Sequence, residues 1–132
     1  MMKEIRVSAA VIHSQGKIFS TQSGYGDFKG MWEFPGGKRE PGETGEQAIV
    51  REIKEELAVD ISVDKFLITV EYQYPAFHLT MDCYLCSIVA GSPTLLEHEA
   101  AKWLDPADID SVNWLPADIL VVNEIKKHHE LL

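Results

Sequence analysis

The residues best suited to chemistry are acidic and lie in one short run beside a single arginine. Glu55 and Glu56 follow Glu52 by three and four positions, Arg51 directly precedes them, and Glu43 lies further upstream. On a helix these spacings bring side chains to one face. Because crowded carboxylates repel one another, we expect a cation among them, and hard divalent ions such as Mg²⁺ bind oxygen ligands of this kind.

The segment that carries these carboxylates has the signals of an amphipathic helix. Thr44 and Gln47 fit a capping box, in which side chains and backbone of the first turn hydrogen-bond reciprocally. Ile49, Ile53 and Leu57 recur every four residues and form an apolar stripe for the core. The carboxylates lie largely off this stripe, where a metal ion and water could reach them.

Taken alone, the charged run has an ordinary explanation, since runs of like charge are usually solvated helix faces. A longer pattern changes that interpretation. It reads G-x5-E-x7-R-E-U-x-E-E-x-G-U, where U is aliphatic, and its positions hold Gly37, Glu43, Arg51, Glu52, Ile53, Glu55, Glu56, Ala58 and Val59. In these residues the chain resembles the Nudix hydrolases, and its EFPGGK segment resembles the MutT-type and CTP pyrophosphohydrolase-like members.

The one departure from the pattern is Ala58, where the family usually has glycine. A left-handed residue is common just after a helix, and alanine in that conformation should cost about 1 kcal/mol. Alternatively, the local backbone has relaxed so that no positive φ is needed. In both cases the substitution affects the end of the helix and not a ligand.

The resemblance implies a fold and a metal site. The expected fold is α/β, an α/β/α sandwich with a mixed β-sheet between helices, formed by a single domain over residues 1–132. The expected cofactor is Mg²⁺, with Mn²⁺ as a substitute. The implied ligands are the carbonyl of Gly36 and the carboxylates of Glu52, Glu56 and Glu97, with Glu99 as the substitute if the loop register differs.

The resemblance also implies catalytic roles. Glu52 is a candidate general base as well as a ligand, but family members differ in which glutamate takes this part, so Glu55 remains open. Arg51 is expected to orient a carboxylate through a charge-assisted pair, with Glu43 as its partner. The implied reaction is attack of water on a nucleoside triphosphate, giving the monophosphate and pyrophosphate.

Three residues are candidates for substrate binding. Glu33 and Lys38 flank the glycines of EFPGGK and should lie near the site. Asp118 stands where the resemblance places a residue that meets the nucleobase, and aspartate there is typical of members acting on CTP or on a range of oxidised nucleotides. Asp118 is equally suited to the first turn of a helix, where the dipole favours an acid, and the two interpretations are compatible.

The expected substrates are cytidine-type or oxidised nucleoside triphosphates such as 8-oxo-dGTP. Alternatives are another nucleoside diphosphate derivative, such as ADP-ribose or a nucleotide sugar, and a non-catalytic nucleotide-binding module on the same fold. Degenerate modules typically lose the glutamates, and all of them are present here.

Size and charge restrict the partners. The chain has 132 residues and a net charge of −9, which disfavours binding to a nucleic acid polymer. It has no apolar run long enough for a membrane span and no signal-peptide pattern, so we expect a cytoplasmic protein. A homodimer is common in such families, although nothing in the sequence specifies one.

The remaining chain predicts the elements around the site. Residues 31–38 should form one strand that ends in a sharp turn, and residues 59–74 and 77–90 should pair as a hairpin. Asp82, within the second of these strands, is expected to face outward.

Three further features concern packing. Cys83 and Cys86 should point to opposite faces of their strand, reduced and buried. The last helix should run from Pro116 to about residue 129, with an apolar face formed by Ile119, Val122 and Ile125.

Overall fold

Seven strands and two α-helices form the part of the chain that the computed structural model describes, which is residues 3–24, 26–95 and 100–128. The strands are β1 Lys3–Ser14, β2 Lys17–Gln22, β3 Trp32–Glu33, β4 Gly36–Lys38, β5 Asp60–Gln73, β6 Phe77–Ala90 and β7 Ala100–Leu104. The helices are α1 Gly45–Leu57 and α2 Pro116–Lys127, with a short 3-10 helix at Pro106–Asp108. Neither α-helix is long and apolar enough to cross a membrane.

The strands form one mixed sheet between the two α-helices. Its main order is β3-β2-β1-β6-β5, with β4 added to β1 and β7 added to β2. β1 and β6 run parallel, and β5 and β6 form the predicted antiparallel hairpin. The prediction of an α/β sandwich with a mixed sheet is therefore confirmed.

Alternation along β1 separates the two hydrophobic layers. Ala10 and Ile12 pack in the layer that contains α1, whereas Ala9 and Val11 pack in the layer that contains α2. Successive residues of a strand point to opposite faces, so one buried strand contributes to both layers. The cysteines of β6 follow the same rule: Cys83 lies in the α2 layer and Cys86 in the α1 layer, and both are buried and free, as predicted.

Helix α1 begins and ends as its sequence predicts. The Thr44 side chain accepts a hydrogen bond from the Gln47 N–H, and the Gln47 side chain accepts one from the Thr44 N–H. After the last turn Ala58 adopts the left-handed conformation with φ of 56°, and its N–H donates to the Lys54 carbonyl. The alternative of a relaxed backbone at this position is wrong.

The prediction of one strand over residues 31–38 is wrong, because the segment changes partners halfway. β3 pairs with β2, and β4 pairs with β1. Between them the Phe34 N–H donates to the Asp118 carboxylate, and Pro35 has no N–H to give a sheet. The break lets this segment contact both the start of α2 and the face of α1.

Two packing predictions also need correction. Asp82 is 3% exposed and faces the α1 layer, where Arg6, Arg39 and Thr69 donate hydrogen bonds to it. The outward placement assumed no partner for the carboxylate, and the tertiary structure supplies three. In α2, Ile119 is 46% exposed, because Ala117 and Val121, together with Val122 and Ile125, form the buried face.

Candidate active site

Glu52, Glu55 and Glu56 share one side of α1 but differ in burial. Glu56 is buried, Glu52 is partly buried and Glu55 is exposed. Glu56 lies next to Leu57 and one turn from Ile53, which are core residues, so its carboxylate is drawn toward the sheet. The helix thus presents a graded acidic face, from a buried carboxylate to one in solvent.

Arg51 holds this acidic face together. It donates to both carboxylate oxygens of Glu43, from Nε at 2.7 Å and from Nη2 at 2.8 Å. Nη1 donates to Glu52 at 2.9 Å and to Glu55 at 3.1 Å, while Nη2 also donates to the Lys38 carbonyl at 3.0 Å. The hydrogen bonds from Arg51 lower the pKa of Glu43 to about 2. The predicted Arg51–Glu43 pair is present, and it ties the loop before α1 to the acidic face.

Gly37 lies directly against this face, and its neighbour Gly36 lies against β1. A Cβ on Gly37 would meet the Glu52 carboxylate, 2.8 Å from Oε1, and a Cβ on Gly36 would overlap the carbonyl of Ser8 in β1. Glycine is required here because the backbone of β4 packs between the sheet and an acidic side chain. The Glu52 carboxylate therefore lies against the backbone of β4, whose Lys38 carbonyl accepts a hydrogen bond from Arg51.

This set of oxygens suits a hard divalent ion. Glu52 and Glu56 lie one helical turn apart on α1, with Glu52 against Gly37, and Mg²⁺ is usually bound through one or two carboxylates together with substrate phosphates. Glu97, the remaining predicted ligand, and Glu99 lie outside the described residues. Within the described ranges, no three acidic, histidine or cysteine side chains come close enough to bind a metal by themselves.

On the opposite side of β4 a pocket of about 240 Å³ opens between the sheet and the start of α2. Its walls are mainly apolar and aromatic, formed by residues that include Phe28, Phe34, Tyr74, Phe77, Leu79 and Met81. Glu33 and Asp118 line it as well, and so do Gly36 and Gly37. The pocket therefore borders Gly37, which also lies against the Glu52 carboxylate.

Burial raises the pKa of both acids in this pocket. Asp118 is 4% exposed and accepts a hydrogen bond from the Phe34 N–H at 2.9 Å. Burial raises its pKa to about 8, and the nearby Glu33 contributes in the same direction. Burial likewise raises the pKa of Glu33 to about 7. Near neutral pH the two carboxyl groups can therefore present both a hydrogen-bond donor and an acceptor to a bound molecule.

Contacts from two strands fix the position of Asp118. The hydroxyl of Tyr74, at the end of β5, accepts a hydrogen bond from the Ala117 N–H at 3.1 Å. The Leu115 N–H donates to the Trp32 carbonyl at 2.9 Å, so β3 holds the residue that precedes the helix. These contacts cap the first turn of α2, which has no side-chain cap of its own.

The structure brings together most of the predicted site residues. Glu33 and Asp118, two of the three predicted substrate-binding residues, both line the pocket. Lys38 is exposed, and its carbonyl, not its side chain, contacts the acidic face through Arg51. Sequence reasoning did not identify Tyr74 or Phe28 as pocket residues. For Tyr74 the only available signal was an aromatic residue directly before Pro75.

Comparisons with known proteins show the family of this chain. The sequence model described as NUDIX domain matches residues 2–130. The CTP pyrophosphohydrolase of Escherichia coli strain K12 is 34% identical over 119 residues, which cover 89% of this chain and 88% of that protein. The 8-oxo-dGTP diphosphatase of the same strain is 30% identical over 128 residues, covering 96% of this chain and 99% of that protein.

A solved structure extends the similarity to the fold. The solution structure of a MutT protein, a Nudix hydrolase from methicillin-resistant Staphylococcus aureus 252, is 39% identical to this chain. The two superpose with a TM-score of 0.75 over 97% of this chain and 99% of that protein. The likeness spans the whole described fold, including both sides of β4.

Proposed function

We propose, from the premise that this chain belongs to the Nudix hydrolase family, that it is a Mg²⁺-dependent nucleoside triphosphate pyrophosphohydrolase. It releases a nucleoside monophosphate and pyrophosphate, and its substrates are cytidine-type or oxidised nucleotides such as 8-oxo-dGTP. The enzyme class follows from the family, whereas the metal, the substrate and the residue roles are our proposal.

The observation that carries this proposal is the position of β4 between two sites. One side of the Gly36–Gly37 backbone borders the pocket of Glu33 and Asp118, and the other lies against the Glu52 carboxylate. A nucleotide whose base occupies the pocket would extend its phosphates past the glycines toward α1. This arrangement suits a substrate with a planar base at one end and a phosphate chain at the other.

Glu52, Glu56, the Gly36 carbonyl and Glu97 would hold the divalent ion. When bound, such an ion neutralises charge on the phosphate oxygens and lowers the pKa of water. The chain's own contribution is to set the positions of these oxygens. The core restricts the side chain of the buried Glu56 and so fixes the position of its carboxylate. Glu52 is held by Arg51 and by the glycine backbone.

Water is the nucleophile, and one glutamate takes its proton. The new bond joins the water oxygen to phosphorus, the bridge between the α- and β-phosphates breaks, and the bridging oxygen leaves with the displaced phosphate group. Glu52 and Glu55 are the candidate bases, and Arg51 donates to both. A donated hydrogen bond orients a carboxylate, so Arg51 is a positioning residue for either one.

Glu33 and Asp118 would recognise the base. A cytosine edge offers an amino donor beside an acceptor, and a carboxylate beside a protonated carboxyl is complementary to that pattern. The relatives named CTP pyrophosphohydrolase and 8-oxo-dGTP diphosphatase support this range of substrates. The aromatic walls contributed by Phe28 and Phe77 would contact the faces of the ring.

Pyrophosphate release from a panel of nucleotides with Mg²⁺ tests the proposal. The panel is CTP, dCTP, 5-methyl-dCTP, 8-oxo-dGTP, dATP, dGTP and ADP-ribose. We expect cytidine nucleotides or 8-oxo-dGTP to have the highest kcat/KM, and chelation of the metal to stop the reaction. Turnover of ADP-ribose ahead of every triphosphate, or turnover that survives chelation, would contradict the proposal.

A further inference from the structure

An ion cluster around a buried carboxylate lies on the α1 side of the sheet. Asp82, on β6, accepts hydrogen bonds from Arg6 Nε at 2.9 Å, from Arg39 Nη2 at 2.7 Å and from Thr69 Oγ1 at 2.7 Å. Arg6 comes from β1, Thr69 from β5, and Arg39 from the residue that follows β4. One carboxylate thus joins three strands and the end of the glycine segment.

The two arginines of this cluster differ in what else they contact. The Arg6 side chain is 57% exposed, whereas the Arg39 side chain is 30% exposed. A Cβ on Gly45, the first residue of α1, would lie 2.7 Å from Arg39 Nη2. The Arg39 guanidinium therefore occupies the space beneath the first turn of α1, and glycine at position 45 leaves room for it.

The sheet register places this cluster beside the candidate active site. Ser8 is the partner of Asp82 on one side and of Gly37 on the other, so the three form a row across β6, β1 and β4. At one end of the row the carboxylate of Asp82 holds Arg39. At the other end Gly37 lies against the Glu52 carboxylate.

We infer that Arg39 and Asp82 are positioning residues, which fix the distance between the Gly36–Gly37 backbone and the carboxylates of α1. Arg39 is two residues beyond Gly37, and its guanidinium is held between β6 and the start of α1. Without this contact β4 depends on a short pairing with β1 that ends at Lys38 and on the hydrogen bond from Arg51 to the Lys38 carbonyl. The inference rests on the proposed metal site, and it concerns the geometry of that site.

Binding of Mn²⁺ to the nucleotide-free protein, followed by the electron paramagnetic resonance signal of the free ion, measures this geometry directly. We expect Arg39→Ala and Asp82→Asn each to weaken Mn²⁺ binding about tenfold or more, as is typical when groups that orient metal ligands are removed. The Mg²⁺ concentration needed for half-maximal turnover should rise in parallel, whereas KM for the nucleotide at saturating Mg²⁺ should stay within about twofold.

Arg6→Ala is the matched control. It removes the same charge from the same carboxylate, but Arg6 precedes the pairing of β1 with β4 and is the more exposed of the two arginines. We expect its Mn²⁺ affinity to remain within about twofold of the parent protein, since exposed charges are strongly screened.

The charges of the variants separate positioning from simple electrostatics. If the cluster acted only through its charge, removing either arginine would tighten Mn²⁺ binding and Asp82→Asn alone would weaken it. Tighter or unchanged binding by Arg39→Ala would therefore overturn the inference. Thermal unfolding of each variant shows that binding is measured on folded protein. If Arg39→Ala does not fold, Arg39→Lys replaces it, and unchanged Mn²⁺ binding by that variant would also overturn the inference.

The proposed function can fail independently. If the parent protein binds Mn²⁺ but releases pyrophosphate from no nucleotide, the proposed function is wrong, and the variants still decide the inference. If the parent protein does not bind Mn²⁺, both are wrong.

Discussion

At one end of the candidate active site, the acidic face of α1, Arg51 donates hydrogen bonds to Glu43, Glu52 and Glu55. At the other end, the pocket beside β4, Glu33 and Asp118 lie among aromatic and aliphatic side chains. The described residues that line the second end include no lysine or arginine. The same functional group therefore has opposite properties at the two ends.

The pKa values express this difference. Hydrogen bonds from Arg51 lower the pKa of Glu43 to about 2, and burial raises the pKa of Asp118 to about 8. A cation favours the charged carboxylate, and an apolar environment favours the neutral acid. At neutral pH the acidic end is suited to bind a cation, whereas a protonated carboxyl group in the pocket can act as a hydrogen-bond donor.

The largest expected effect is a loss of turnover, and it should follow from a substitution at the acidic end. Glu56→Gln should lower kcat about 1,000-fold, because the amide cannot replace a carboxylate ligand of the metal. Glu46→Gln, in the exposed first turn of the same helix, is the control and should leave kcat within about twofold. Steady-state pyrophosphate release and thermal unfolding measure the two variants; substantial activity in Glu56→Gln would remove the distinction between the two ends.

The pH dependence of stability should have opposite signs at the two ends. Asp118 has an ordinary pKa of 3.8 and a folded-state pKa of about 8, so the folded protein binds more protons between these values. Its contribution to the free energy of unfolding should fall as pH rises through this range, by at most about 1.4 kcal/mol per pH unit. Asp118→Asn should abolish that slope.

Glu43 should show the reverse. Its folded-state pKa of about 2 lies below the ordinary 4.5, so its pairing with Arg51 stabilises the fold above pH 4.5 and is lost as pH falls toward 2. The stability difference between the parent protein and Arg51→Met should therefore shrink over that acid range. Urea unfolding at several pH values checks both variants, and parallel curves for parent and variant would contradict the assigned pKa shifts.

The smallest expected effect comes from a variant that changes stability without changing charge. It tests whether a change in stability alone can alter the pH dependence of unfolding. Ala58→Gly relieves the left-handed φ of 56° at the end of α1 and should raise the free energy of unfolding by about 1 kcal/mol. It changes no charge, so its unfolding free energy should run parallel to that of the parent protein at every pH. A decrease in stability, or a new pH slope, would be inconsistent with this explanation.

Much of the acidic end could be predicted because its determinants are local. The capping box, the stripe of Ile49, Ile53 and Leu57 and the left-handed Ala58 all depend on residues within one helix, and all are confirmed. The pair between Arg51 and Glu43 spans eight positions and is confirmed as well. Spacing along a helix determines which side chains are neighbours.

The other parts of the site depend on residues far apart in the chain. Phe34 and Asp118 are separated by 84 positions, and Arg6 and Asp82 by 76. No local pattern predicts which strands become neighbours, so Asp82 was expected in solvent and the pocket contribution of Tyr74 was not identified. The break between β3 and β4 had the same origin, since it depends on a hydrogen bond to α2.

The sequence by itself determined the helix, its carboxylates and their arginine, together with the alternation that buries both faces of the sheet. These follow from the periods of helix and strand, which repeat over a few residues. Only the tertiary structure decided which carboxyl groups outside this helix are shielded from water and which of them pair with an arginine. The pKa of a carboxyl group depends on all the atoms around it, and for Asp82 and Asp118 most of those atoms belong to distant parts of the chain.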